Sequence, residues 1–203
     1  MLVGSGAKGF ASLWLRKSCI TIGLIVSVSG AACARDFTFG GIRWGQSPER
    51  FKTQMIAKGY TFSGWSESHH YLNCDGTIDN KDATFAAYVT PAGTVEKFLC
   101  IIKNDSNDAM DVFNELHGKL ITKYGMPTHD YHFFSPPYEA GDGYEETAFA
   151  VGKAHFASFW DDTDEEGGLT LEITKEMRVD IVYESAAWVK SVDARRDASS
   201  TDL

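Results

Sequence analysis

The sequence has little positive charge, few cysteines and no long run of apolar residues. Its 203 residues contain 19 Lys and Arg against 28 Asp and Glu, which gives a net charge of −9 and a pI near 5.1. A nucleic-acid-binding protein needs a basic face for the phosphates, so that class is excluded and no nucleic-acid partner is expected. Four cysteines are too few for a small disulfide scaffold. The 43% hydrophobic and 13% aromatic content instead predicts a globular domain with a packed core.

Residues 1–34 have the pattern of a secretory signal peptide. Three basic residues precede the uncharged stretch 20–32, which is shorter than the about 20 apolar residues that span a bilayer. Small residues at Ala32 and Ala34 predict cleavage after Ala34, and hence a periplasmic or secreted protein with no membrane span after cleavage. Lipidation of Cys33 and retention of the segment as an anchor remain alternatives.

The chain after this segment is more acidic still. Residues 35–203 keep 16 basic and 28 acidic side chains, a net charge of −12, which favours solubility and repels anionic surfaces. The length suits a single domain, which we predict at 35–190. Residues 191–203 are polar and predict a disordered tail.

Periodicity predicts an α+β domain with an antiparallel sheet and two helices. Ser47 and Pro48 are typical of a helix start, and Phe113, Leu116 and Leu120 recur at helical spacing. The order strand, helix, three strands, helix, three strands is compatible with two related halves. The predicted elements are a strand at 36–44, a helix at 48–58, strands at 69–78, 83–90 and 94–103, a helix at 107–124, and strands at 147–160, 169–175 and 178–184.

Cys74 and Cys100 are the two cysteines of residues 35–203. An oxidising compartment favours a disulfide between them. A simple meander would instead place them two strands apart, beyond the about 7 Å between Cα atoms that a disulfide tolerates. In the same meander the predicted strands 83–90 and 94–103 form a hairpin with its turn at 91–93. We expect Phe85 to face Leu99 and Val89 to face Val95 in this hairpin. A disulfide and two buried thiols both remain open.

Several structural motifs occur in a fixed order along the chain. They are Gly41-Ile42-x-Trp44-Gly45-x-Ser47-Pro48-x-x-Phe51, Tyr124-Gly125-Met126-Pro127, Trp160 before an alternating strand, and Val179-x-Ile181-Val182-Tyr183. This pattern resembles a broad group of uncharacterised bacterial secreted proteins and lipoproteins. More remotely, the order of elements is similar to modules of β-lactamase-inhibitor proteins and small outer-membrane assembly lipoproteins. The resemblance implies a fold and an envelope location, and it transfers no functional residue.

Motifs with recognisable chemistry are scarce. No nucleophile elbow, phosphate loop or dinucleotide fingerprint occurs. His129 and His132 are candidate metal ligands, with His69, His70 or His155 as a third, although residues three apart on a strand point to opposite faces. His117 is interpreted as a histidine at the edge of the core. The acidic stretch 162–167 begins like a calcium loop but lacks the acid at its twelfth position, so it predicts a solvated hairpin tip.

Aromatic residues are concentrated outside the predicted elements. Segment 131–138 holds four of them with two prolines, and segment 60–71 is similarly rich. Rigid aromatic side chains are typical of recognition surfaces, although they also cover the open ends of a core. The candidate binding residues are Phe133, Phe134, Tyr138 and Trp65.

These observations favour a non-enzymatic secreted or periplasmic protein that binds a macromolecule, with a protein partner in the cell envelope and no cofactor. One alternative is a metal-dependent hydrolase using His129 and His132. The other is a structural envelope protein without a discrete ligand.

Overall fold

Eight antiparallel strands form one sheet in the part of the chain that a computed structural model describes, residues 37–161 and 167–201. The helices are α1 Pro48–Ala57, α2 Ala109–Tyr124, α3 Glu145–Ala150 and α4 Ala186–Thr201. The strands are β1 Thr61–Ser66, β2 Tyr71–Ile78, β3 Lys81–Val89, β4 Val95–Ile102, β5 His129–Phe134, β6 Ala154–Asp161, β7 Gly168–Ile173 and β8 Val179–Glu184. The α+β class with an antiparallel sheet is therefore confirmed. Three expectations lie outside the described residues: the signal peptide at 1–34, the alternative lipidation of Cys33, and the part of the acidic hairpin tip at 162–166.

The sheet order is β1-β2-β3-β4-β8-β7-β6-β5. Strands β1 to β4 follow α1 as one meander, and β5 to β8 follow α2 as a second, with the short α3 inserted between β5 and β6. The two meanders join where β4 pairs with β8 in the centre of the sheet. This arrangement leaves β1 and β5 as the two edge strands.

Helices α1 and α2 cover one face of the sheet, which we call the covered face. Ser47 caps α1 by accepting a hydrogen bond from the Arg50 amide at 3.4 Å, and Pro48 occupies the first helical turn, as predicted. Phe51 of α1 and Phe113 of α2 are fully buried against alternate strand residues such as Phe85 and Phe98. The core is therefore a single layer between the helices and the covered face.

Helix α4 lies on the opposite, open face of the sheet. The Trp188 ring is 6.0 Å from that of Tyr88 on β3 and lies under the Lys97 ammonium of β4. Ser185 starts the helix: its hydroxyl accepts from the Trp188 amide at 3.0 Å and donates to the buried carboxylate of Glu96 at 2.6 Å. The sequence predicts a disordered tail at 191–203, whereas the structure is helical through Thr201. The stabilising contacts come from distant strands, which local polarity does not reveal.

The predicted strand at 36–44 is also wrong. Phe37, Phe39 and Ile42 are buried, but this segment packs as a turn because Gly40 and Gly41 have positive φ values of 56° and 72°. Its apolar alternation reflects burial without strand pairing. The start of the predicted strand at 147–160 is likewise helical, as α3.

The sequence predicted neither edge strand, β1 or β5. An edge strand pairs on one side only and buries few residues, so its apolar pattern is weak. Strand β1 is interrupted by a register shift between Phe62 and Gly64, and nearly all of β5 is exposed. The predicted β3–β4 register is confirmed for the pair Val89–Val95. It is wrong at Phe85, which faces Cys100 and not Leu99, because the register shifts by one residue between Tyr88 and Val89.

Candidate functional site

Strand β5 presents two chemically different faces. Within the described part of the chain it pairs only with β6, and the register sets Asp130 opposite Ser158 and His132 opposite Phe156 on the covered face. The alternate residues point to the open face, because successive side chains of a strand alternate. Most of the predicted functional residues lie on this one edge strand or beside it.

An aromatic surface occupies the open face of β5 and β6. Tyr131 and Phe133 are 42% and 47% exposed. Their rings lie 5.7 and 5.9 Å from the His155 ring, and Tyr131 also lies 6.1 Å from Phe159. We call these residues with His129, whose ring stacks on Tyr131 at 6.4 Å, the β5 aromatic patch. Rings that support one another in this way form a pre-ordered contact surface.

The four predicted binding residues do not form one surface. Phe133 belongs to the β5 aromatic patch. Phe134 points to the covered face, where its ring packs 5.5 Å from Phe156, and Tyr138 is half-buried against the core. Trp65 is exposed on β1, at the other edge of the eight-stranded sheet. Seven strand spacings of about 4.8 Å place it roughly 34 Å away.

Trp65 lines a separate groove of about 610 Å³. Its wall includes His69 and His70 from the β1–β2 turn and Trp188 of α4. The Arg195 guanidinium lies 5.6 Å from the Trp188 ring centre, in cation–π contact. The groove is aromatic and basic, in contrast to the acidic chain as a whole.

A polar cluster lies on the covered face of β5, beneath α2. One oxygen of Asp130, Oδ1, accepts a hydrogen bond from the Ser158 hydroxyl at 2.6 Å. The same oxygen is 3.0 Å from His132 Nε2 and 3.4 Å from His117 Nε2. The nearest ligand atoms of His117, Asp130 and His132 all lie within 4.8 Å of one another. These three side chains are the metal-capable group among the described residues.

Aromatic rings fix both imidazoles of this cluster. Phe113 stacks on His117 at 5.8 Å, and Phe156 stacks on His132 at 5.4 Å with a 5° interplanar angle. The two imidazole rings are 4.9 Å apart. Burial lowers the pKa of His117, and the nearby His132 lowers it further, while Asp130 acts in the opposite direction. The neutral imidazole, which is the form that binds metals, is thereby favoured.

The structure does not bring the two candidate metal ligands together. His129 and His132 lie on opposite faces of β5, as expected for positions three apart on a strand. His155 lies on the open face, and His69 and His70 lie beside β1, so none supplies a third ligand. His117, interpreted from the sequence as a core-edge residue, is the one that faces His132. Its signal in the sequence is a polar residue within the apolar stripe of α2, four positions after Phe113.

Cys74 and Cys100 are both buried free thiols in the structure. Phe85 of β3 lies between them in the register, opposite each in turn. They are therefore two strands apart, as the meander predicts. Of the two open alternatives, the structure has the buried thiols, and burial raises the pKa of both.

Glu172 of β7 lies on the open face among other charged side chains. Burial raises the pKa of its carboxyl group, and the neighbouring Asp180 raises it further. His155, Arg178 and Lys97 act in the opposite direction. The Arg178 guanidinium is itself engaged with Asp180 through two hydrogen bonds of 2.7 and 2.6 Å.

Comparison of the chain with family models, curated proteins and solved structures finds no match. Among the helices of residues 37–161 and 167–201, none has the length and apolar character needed to cross a bilayer.

Proposed function

We propose that this protein is a non-enzymatic binding module of the bacterial cell envelope, which holds a protein partner at the β5 edge of its sheet. The observation that carries the proposal is the β5 aromatic patch, where Tyr131 and Phe133 are exposed side by side on the open face of the sheet. Exposed aromatic rings of this kind are typical of the centres of protein interfaces. The envelope location rests on the signal-peptide pattern and on the resemblance described above.

The edge position supports a particular mode of binding. Among residues 37–161 and 167–201, strand β5 pairs only with β6, so within this part of the chain the amide and carbonyl groups on its outer side have no strand partner. An extended segment of another protein adds to such an edge through main-chain hydrogen bonds, while side-chain contacts supply specificity. The β5 aromatic patch lies directly beside this edge and would contact alternate side chains of the added segment.

The test is affinity capture from envelope extracts with mass spectrometry of the retained proteins. The bait is compared with the double variant Tyr131→Ser, Phe133→Ser, whose two side chains are exposed and therefore contribute little to stability. We expect one dominant, saturable partner with the unmodified protein and its loss with the double variant. Phe134 and Tyr138 are left intact because they pack against the core.

The matched control is Trp65→Ser, which removes an exposed aromatic ring at the opposite edge of the sheet. We expect this variant to retain the partner. Equal capture by the double variant, or loss of capture only with Trp65→Ser, contradicts the assignment to β5. Capture of no saturable partner by the unmodified protein contradicts the binding function itself.

A further inference from the structure

The geometry points to a binding site for a divalent transition-metal ion of the zinc class, formed by His117, Asp130 and His132 on the covered face of β5. This inference is independent of the proposed binding function. It concerns the opposite face of the strand and involves none of the residues in the β5 aromatic patch.

The donor separations fit a single small ion. Zinc binds imidazole nitrogen and carboxylate oxygen at about 2.0–2.1 Å in tetrahedral geometry, which places neighbouring donor atoms about 3.3 Å apart. Asp130 Oδ1 is 3.0 Å from His132 Nε2 and 3.4 Å from His117 Nε2. An ion requires adjustments of a few tenths of an ångström along these two edges, and the two imidazoles, whose ligand atoms lie within 4.8 Å of each other, close onto it along the third.

His117 supplies a second, independent observation. Its Nε2 atom is buried and forms no well-aligned hydrogen bond, although Asp130 Oδ1 lies 3.4 Å away. A buried polar atom without a well-formed hydrogen bond is destabilising. A metal ion bound between His117 and Asp130 would give this nitrogen a direct ligand bond in place of that poorly aligned contact.

The surroundings of the cluster resemble those of metal sites. Ser158 is fully buried and holds Asp130 by donating its hydroxyl proton to Oδ1, the kind of support that orients a metal-binding carboxylate. The rings of Phe113 and Phe156 fix the two imidazoles.

The ligand set selects the class of ion. Two imidazoles with one carboxylate suit zinc and its first-row neighbours, whereas calcium and magnesium prefer oxygen donors throughout. The side chains of Asp130 and His132 are 35% and 30% exposed, while that of His117 is 14% exposed. The site is thus open to solvent on the β5 side, where water fills the fourth position of a three-ligand zinc site.

The experiment is zinc titration of the purified protein without a polyhistidine tag, after treatment with a chelator. We expect saturation at one Zn²⁺ per chain by calorimetry and by elemental analysis. His117→Gln, Asp130→Asn and His132→Gln each remove one ligand. Outer-shell changes alone weaken metal sites 10- to 100-fold, so each variant is expected to weaken binding by about 100-fold or more.

His129→Gln is the matched control, because it removes a histidine from the same strand but from the opposite face. We expect it to bind zinc as the unmodified protein does. The proposal is overturned if the three ligand variants bind unchanged, or if His129→Gln weakens binding as much as they do.

Nuclear magnetic resonance of the unmodified protein makes the test independent of whether the variants fold. Zinc is expected to shift the imidazole resonances of His117 and His132 and to leave those of His69, His70 and His129 unchanged. Absence of saturable binding, or shifts confined to the last three, overturns the proposal.

Discussion

Replacing Ser185 with alanine removes two hydrogen bonds at the start of α4. The Ser185 hydroxyl accepts from the Trp188 amide at 3.0 Å, and this loss of a helix cap costs about 1 kcal/mol. The same hydroxyl donates to Glu96 at 2.6 Å, and Glu96 is only 6% exposed. A hydrogen bond to a charged group contributes about 1.5–3 kcal/mol. We therefore expect Ser185→Ala to lower the free energy of unfolding by about 3 kcal/mol.

The measurement is equilibrium unfolding in urea, followed by tryptophan fluorescence. Ser47→Ala is the matched control, since Ser47 caps α1 in the same way but bonds no carboxylate among the described residues. It is expected to cost about 1 kcal/mol. The difference between the two variants isolates the contribution of the Glu96 hydrogen bond.

A double-mutant cycle completes this test. Ser185→Ala and Glu96→Gln alter the two partners of one hydrogen bond, so their effects on the free energy of unfolding should not add. If Ser185→Ala costs no more than Ser47→Ala, or if the cycle is additive, the reasoning about the anchoring of α4 is refuted.

Two further substitutions test strand β7 and the residue that precedes it. Gly167 has φ +82°, and a Cβ there would collide with the carbonyl oxygen of Glu184. Gly167→Ala should therefore lower the stability measured by thermal unfolding by about 2 kcal/mol or more. Gly143→Ala is the control, since Gly143 has the same φ with open space around it, and it should cost clearly less. The raised pKa of Glu172 means that its ionised form is disfavoured in the folded state. Glu172→Gln should therefore raise the melting temperature at neutral pH, and this gain should disappear near pH 3, below the unfolded value of about 4.3. A lower melting temperature of Glu172→Gln at neutral pH would contradict this assignment.

The two faces of β5 carry separate proposals with separate tests. We expect partner capture to need Tyr131 and Phe133 and zinc binding to need Asp130 and His132, with neither pair required for the other property. If the protein binds zinc but captures no partner, the proposed metal site stands and the proposed binding function is contradicted. If it captures a partner but binds no zinc, the proposed binding function stands and the proposed metal site is contradicted.

The sequence by itself determined the elements that local signals specify. Ser47 and Pro48 fix the start of α1, because a cap and an N-terminal proline act on the adjacent turn alone. The apolar stripe of α2 and the Val89–Val95 pairing likewise follow from residues close in the chain. These signals were sufficient for the α+β class and for the two-strand separation of Cys74 and Cys100.

Only the tertiary structure decided the rest. Strand β5 was hidden because an edge strand buries too little to leave a periodic pattern. Helix α4 was hidden because Ser185 and Trp188 are held by residues of distant strands. The approach of His117 to Asp130 and His132 depends on α2 packing across β5, and spacing along the chain does not encode that distance. Sites built from separate elements become visible only when those elements are packed together.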